Sequence, residues 1–331
     1  MFGVGIIGAG SFGQEHARAL EALPNAHLVA AARTKAAALE DFTRRFGGRG
    51  YLDYRDLLNV PAVDIVVIAT PHHLHTEIAE QAARFGKHIL LEKPMAPNLA
   101  ECDRIVQAAR KAQIELMVGF MNHFARAYRV AKRLLESGEM GQVVLGVSTM
   151  SKFWYEPNRR EWHLDRTTGG GAWLTAGIHG LDRLTWLVDS PIEQVYAQFE
   201  TRFHKQSADD VGLVSVRYAN GTMCAIVSAG YAAGASKFLT ELTCTRGMLN
   251  IDSVTGVTIG RDERWQTIPD SGSSNWMQEA LVEEWRAFLS ALGQGTATPV
   301  SGEYGRAIMA AAFAAETSSL QPAAVQLNRG D

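Results

Sequence analysis

Three short stretches of this chain combine residue types that do chemistry on a dinucleotide or an alcohol. The first is Gly8-Ala9-Gly10-Ser11-Phe12-Gly13, a G-x-G-x-x-G run between an apolar stretch and one of helical spacing. Glycines in this pattern permit a tight turn, let a pyrophosphate approach the backbone and let a helix pack closely on a strand. The N–H groups and partial positive charge of that helix's first turn suit the phosphates. The second is Glu92-Lys93-Pro94 after the apolar run Ile89-Leu90-Leu91. A lysine at such a strand end can contact a cofactor ribose and a substrate hydroxyl, and its charge stabilises a developing alkoxide. The third is His179, which follows the Gly169-Gly170-Gly171 turn. An imidazole ordinarily titrates near neutrality, so it can take or give the hydroxyl proton while a hydride moves to or from nicotinamide. Each pattern also has a plainer reading as a turn, a strand-end ion pair or a core histidine, so context decides.

The cofactor type is read at the end of the second strand. An acidic residue about 20 positions after the glycines would bond the ribose 2′-OH of NAD. This chain has Ala32-Arg33-Thr34-Lys35 there. Arg33 can fork onto a 2′-phosphate and Thr34 can donate to it, so the expected cofactor is NADP, with NAD as the alternative. His72, His73 and His75 cluster, but neither H-E-x-x-H nor a matched cysteine set accompanies them, and no metal is expected.

These residues need elements to hold them. Up to residue 121, strand patterns at 4–8, 28–32, 65–69, 88–91 and 114–118 alternate with helical patterns at 12–23, 76–85 and 98–111. Alternation of this kind implies βαβ units and a parallel sheet, an α/β Rossmann domain over 1–121. The remainder, 122–331, changes character. Strand patterns fall at 143–150, 195–200, 211–218, 222–228, 239–245 and 247–251, with a tight Ala219-Asn220-Gly221 turn, and helical patterns at 277–292 and 303–318. Long strands joined by tight turns imply an antiparallel sheet, hence an α+β domain for substrate binding and oligomerisation.

With 331 residues, a net charge of −3 and 47% hydrophobic residues, the chain is composed like a globular protein and offers no electrostatic case for nucleic acid or a membrane surface. The longest apolar run is too short to cross a bilayer, and the start of the chain does not read as a signal peptide. Its three cysteines are scattered without C-x-x-C, which fits reduced thiols and a cytoplasmic location.

Taken together, GIIGAGSFG at 5–13, ATPHHLH at 69–75, GKHILLEKPMA at 86–96, SGEMG at 137–141, WHLD, GGG and GIHGLD within 162–182, and DDVGLVSVRYANGT at 209–222 give the chain a specific likeness. It resembles the Gfo/Idh/MocA family, relatives of glucose–fructose oxidoreductase and inositol 2-dehydrogenase. The resemblance implies a Rossmann domain followed by an α+β domain with a large open, mostly antiparallel sheet. That sheet commonly forms the subunit interface, so a homodimer or homotetramer is expected. Gly8, Gly10, Ser11, Phe12 and Gly13 would hold the pyrophosphate, and Thr70, Pro71 and His75 would line the nicotinamide. Glu92 and Lys93 would match the family's E-K-P, whose lysine contacts cofactor and substrate. His179 would be the proton acceptor or donor.

Three departures stand at positions that would border the substrate: Thr175 where an aspartate is frequent, His163 after Trp162 where arginine is frequent, and His123-Phe124, following the substrate-side candidate Asn122, where Arg-Phe is usual. Asp182, one helical turn beyond His179, is then the expected group to steady its ring. The implied activity is hydride transfer between nicotinamide and a hydroxyl or carbonyl carbon of a small-molecule polyol, sugar, cyclitol or ring diol. The alternative is a non-catalytic NAD(P)-binding sensor or co-regulator of the same fold.

Overall fold

The structure, a computed structural model, describes residues 1–155 and 161–327. The chain divides into two compact units, Met1–Met121 with Leu281–Arg306, and Asn122–Ala280 with the chain from Ala307 onward.

The first unit alternates β1 (Phe2–Ile7), α1 (Ser11–Leu20), β2 (Ala26–Ala32), α2 (Ala36–Phe46), β3 (Arg49–Tyr51), α3 (Tyr54–Leu58), β4 (Ile65–Ile68), α4 (His75–Arg84), β5 (His88–Leu91), α5 (Leu99–Ala112) and β6 (Leu116–Val118). Every strand pairing is parallel, in the order β3-β2-β1-β4-β5-β6. The Ile-Val-Val-Ile of β4 is buried throughout, as a central parallel strand with both faces covered must be. The strand order reverses between β1 and β4. Sheets of this kind take their ligands beyond the carboxyl ends at that point. Gly8, Thr70 and Glu92 all lie just past such ends. The start of α5 is fixed by a capping box, in which Asn98 Oδ1 accepts from the Glu101 N–H at 3.0 Å and Asn98 Nδ2 donates to Glu101 Oε1 at 2.9 Å.

The second unit contains α6 (Arg126–Glu136), β7 (Val143–Phe153), α7 (Glu161–Leu164), α8 (Ile178–Val188), β8 (Ile192–Glu200), β9 (Val211–Tyr218), β10 (Met223–Tyr231), β11 (Lys237–Cys244), β12 (Gly247–Asp252), β13 (Gly256–Arg261) and β14 (Arg264–Thr267). Two long helices, α9 (Trp276–Gln294) and α10 (Gly302–Leu320), follow, then β15 (Val325–Gln326). The large sheet has nine strands in the order β14-β13-β12-β11-β7-β10-β9-β8-β15. All pairings are antiparallel except β7 with β10. Strict alternation of buried and exposed residues along β9 gives this sheet one covered face, against which Gly180 of α8 meets Ile226 and Ser148. On the other face the register sets Met248, Leu145 and Met223 in one row and Leu213 beside Val227, all five exposed.

Candidate active site

The glycines of the first loop are required by contact. Gly8 has φ +98°, and a Cβ there would lie 2.5 Å from the carbonyl of Ala69. A Cβ on Gly13 would lie 2.4 Å from the Gly8 carbonyl oxygen, so that glycine lets α1 press on the loop. Gly10 differs, because nothing stands within 4 Å of where its Cβ would be. The open side of the loop is therefore the side where the first N–H groups of α1 begin, which is the cradle a pyrophosphate needs. Ser11 is exposed, and Phe12 packs edge-on against His16 with ring centroids 5.4 Å apart. Arg33 Nη1 donates to the Ala9 carbonyl at 2.9 Å, which lays the guanidinium along the same loop, with Thr34 exposed beside it.

Beyond β4, the Thr70 hydroxyl is buried without a hydrogen-bond partner. Pro71 leads into a short turn at His72–Leu74. His75 is buried, its ring spanning from the Thr70 carbonyl (2.9 Å) to the Met95 carbonyl (3.3 Å), and burial lowers its pKa. It braces the segments after β4 and β5, leaving the Thr70 hydroxyl as the polar group there with capacity to spare.

Glu92 is buried and faces inward. Its Oε1 lies 2.9 Å from His16 Nε2, and Trp285 Nε1 donates to His16 Nδ1 at 3.2 Å. Because the indole can only donate, His16 carries its hydrogen on Nε2 and gives it to the carboxylate. Gly119 makes room for that carboxyl, since a Cβ there would lie 2.7 Å from Glu92 Oε1. Glu284 is fully buried with both carboxyl oxygens unpartnered, and burial together with the Glu92 charge raises its pKa well above the ordinary value. Glu92 thus anchors the strand end from within, and the half-buried Lys93 follows it, joined to Pro94 by a cis peptide bond.

In the second unit His179 is half-buried on α8. Asn122 Nδ2 donates to its Nδ1 at 3.1 Å, and Arg183 Nη2 donates to Asn122 Oδ1 at 2.9 Å. The expectation for Asp182 is corrected here. Its Oδ1 accepts from His123 Nε2 at 2.8 Å, and the His123 ring stacks on Trp186 with centroids 4.4 Å apart. Asp182 therefore steadies His123, while an amide holds His179. Sequence reasoning did not single out Arg183, His16, Glu284 or Trp285. The one available signal was Arg183, four residues after His179 on the same helix face.

Thr175 is half-buried within a single π-helical stretch, Trp173–Gly177, that leads into α8. Trp162 and His163 stack on each other with centroids 3.6 Å apart. The triple glycine serves close packing, since a Cβ on Gly169 would meet the Trp162 carbonyl oxygen at 2.0 Å and one on Gly171 would meet Asp209 at 2.4 Å. Trp154 and Trp173 are fully buried, their N–H groups bonded to Gln206 and to the Ala312 carbonyl, so they belong to the core. Among the described residues no group of three His, Cys, Asp or Glu side chains is disposed to hold a metal ion, and no helix is long and apolar enough to cross a membrane.

A profile described as "Oxidoreductase family, NAD-binding Rossmann fold" matches residues 2–120, and one described as "GFO/IDH/MocA C-terminal domain" matches residues 128–250. A myo-inositol 2-dehydrogenase of Thermotoga maritima is 26% identical over 337 residues, covering 98% of each chain. A levoglucosan dehydrogenase of Pseudarthrobacter phenanthrenivorans is 29% identical over 74% of this chain and 72% of that one. The crystal structure of an NAD binding oxidoreductase from Klebsiella pneumoniae superposes with a TM-score of 0.90 at 27% identity, covering 99% of each chain.

Proposed function

The chain belongs to the Gfo/Idh/MocA family of oxidoreductases, and on that premise we propose that it interconverts an alcohol and a carbonyl on a sugar, cyclitol or ring diol, with NADP(H) as its preferred cofactor. The observation that carries the reading is the cluster at the carboxyl ends of β1, β4 and β5: a glycine loop open at Gly10, the unclaimed Thr70 hydroxyl, and Lys93 on its buried Glu92 anchor. The relatives named for inositol and levoglucosan support the substrate class.

The nicotinamide, when bound, supplies hydride acceptance and donation. Gly8, Gly10, Ser11, Phe12 and Gly13 are assigned to the pyrophosphate, and Thr70, Pro71 and His75 to the nicotinamide side. Lys93 is assigned to the ribose and the reacting oxygen, whose developing charge its ammonium stabilises. His179 is assigned to the reacting oxygen, through hydrogen bonding or proton exchange. Asn122, His123, Trp162, His163 and Thr175 are assigned to the substrate's surroundings. The NADP preference rests on Arg33, which lies along the loop at the end of β2, and on Thr34, with no carboxylate in 32–35 to repel a 2′-phosphate. We assign the exposed rows of Met248, Leu145 and Met223 and of Leu213 and Val227 to a homodimer or homotetramer interface, since a broad apolar sheet face gains by being covered. The three cysteines, all buried and none in a disulfide, accord with a reducing cytoplasmic compartment.

A steady-state panel of cyclitols, aldoses, anhydrosugars and their ketones, run with NADP(H) and with NAD(H), tests the proposal. Turnover of at least one member, with higher kcat/KM for the phosphorylated cofactor, is expected. Failure of every pair with both cofactors contradicts it.

A further inference from the structure

We propose that Asn122, oriented by Arg183, fixes His179 in the tautomer with its hydrogen on Nε2, so that His179 meets the reacting oxygen as a hydrogen-bond donor rather than as a base. This rests on the assignment of His179 to the reacting oxygen, and it narrows that role to one of its two halves.

Donors and acceptors decide the tautomer. A guanidinium only donates, so the 2.9 Å contact from Arg183 Nη2 identifies the Asn122 atom it meets as the carbonyl oxygen. The amide nitrogen must then face His179 Nδ1, at 3.1 Å. An amide nitrogen also only donates, so Nδ1 is an acceptor, and a neutral imidazole whose Nδ1 accepts carries its hydrogen on Nε2. Turning the amide over would set N–H against N–H at Arg183 and leave the carbonyl to the ring. Asn122 and Arg183 are both buried, at 2% and 3% exposure, so water is not at hand to relieve that clash. Arg183 is held in turn by Met150 Sδ at 3.0 Å and by the Tyr128 ring face at 4.9 Å.

A second proton on the ring is opposed by the same groups. It would point at the Asn122 N–H and would place a cation four residues from the Arg183 guanidinium on one face of α8. The carboxylate of Asp182 is engaged by His123. Thr175, which cannot ionise, stands where a carboxylate is frequent in the family. A neutral imidazole donating from Nε2 polarises a carbonyl as an electrophile. In the reductive direction the hydride adds to the carbonyl carbon and the C=O π pair becomes a lone pair on oxygen. The Lys93 ammonium gives that oxygen its proton and regains one from water, and His179 keeps its own.

The tautomer is read by two-bond ¹⁵N–¹H correlation on the full chain labelled at histidine, at neutral pH, with His179→Gln as the assignment control. The expected spectrum shows His179 with hydrogen on Nε2 only. Asn122→Asp, which replaces the donor with an acceptor, should move the hydrogen to Nδ1 or protonate both nitrogens. A native spectrum with hydrogen on Nδ1, or an imidazolium, overturns the proposal. Kinetics give a second readout, because a glutamine amide can donate from near the Nε2 position but cannot exchange a proton. His179→Gln should retain kcat within about 10-fold of the native enzyme, while His179→Ala loses about 10²-fold or more. Equal loss in both overturns the donor role. Absence of turnover in the native enzyme would defeat the proposed function while leaving the tautomer to the spectrum.

Discussion

Two histidines in this chain are held in the same way and have opposite fates. His16 takes an N–H from Trp285 on Nδ1 at 3.2 Å, and His179 takes one from Asn122 on Nδ1 at 3.1 Å. Both therefore carry hydrogen on Nε2. His16 is fully buried and spends that hydrogen on Glu92, so its network is closed at both ends. His179 is half-buried at the end of the chain Arg183–Asn122–His179. The comparison teaches that neither a ring's tautomer nor its polar neighbours mark it for chemistry. What differs is burial, complete for His16 and partial for His179.

That contrast can be broken most forcefully at His179. His179→Ala should lower turnover by about 10²–10⁴-fold with cofactor affinity little changed, and should cost about 1–3 kcal/mol in stability, because the buried Asn122 amide loses its acceptor. The mirror experiment is His16→Ala. It should cost about 2–4 kcal/mol in chemical denaturation by leaving the Glu92 carboxylate buried without its donor. Turnover of the folded variant should stay within a few-fold. If His16→Ala instead inactivates a fully stable protein, the two residues are not opposites and the distinction fails.

A third test lies outside both networks. Arg33→Asp should reverse the proposed preference for NADPH over NADH, shifting the ratio of dissociation constants by about 10-fold or more, since a carboxylate repels a 2′-phosphate and bonds a 2′-OH. Calorimetric titration of both cofactors measures it, and equal affinities in the native protein would remove the NADP assignment. The smallest effect concerns Glu284, whose pKa is raised in the folded state by burial and by Glu92. The native state then holds a proton that the unfolded chain has released, so stability is greatest at or below the ordinary carboxyl range and declines as pH rises above it. The decline is at most about 1.4 kcal/mol per pH unit. Glu284→Gln keeps the shape without the titration and should flatten the dependence of melting temperature on pH between 5 and 8. An unchanged slope would show that Glu284 is not the group responsible.

Much of the first unit was legible because its constraints are local. Gly8 needs a positive φ and close approach to Ala69, β4 needs an unbroken apolar run, and α5 needs Asn98 with Glu101 three residues on. These are spacings within one element, and a sequence displays them directly. Other elements left no such mark. β14 is exposed at all four positions, so it shows no alternation, and β3 is only three residues long. The supports of the two histidines were hidden for a different reason. Asn122 and Arg183 are 61 residues apart, and Trp285 reaches His16 across 269 residues, so no periodicity links them. Asp182 was misassigned because a position one helical turn away is a neighbour in any helix. The tertiary partner His123 won its carboxylate instead. The pairing of β7 with β10 is likewise hidden from turn patterns, because it is a parallel contact between strands that no hairpin joins.

If this chain performs hydride transfer and does not merely sense a cofactor, the hydrogen on the reduced nicotinamide must reach a product. Single-turnover reaction of the full chain with NADPH deuterated at C4, mixed with a carbonyl substrate identified from the panel and followed by mass spectrometry, tests it most directly. One deuterium is expected on the carbinol carbon of the product, in amounts matching the cofactor oxidised, with both signals lost in Lys93→Ala. Tight cofactor binding with no deuterium transferred to any carbonyl compound of the panel would contradict it and leave the sensor reading in its place.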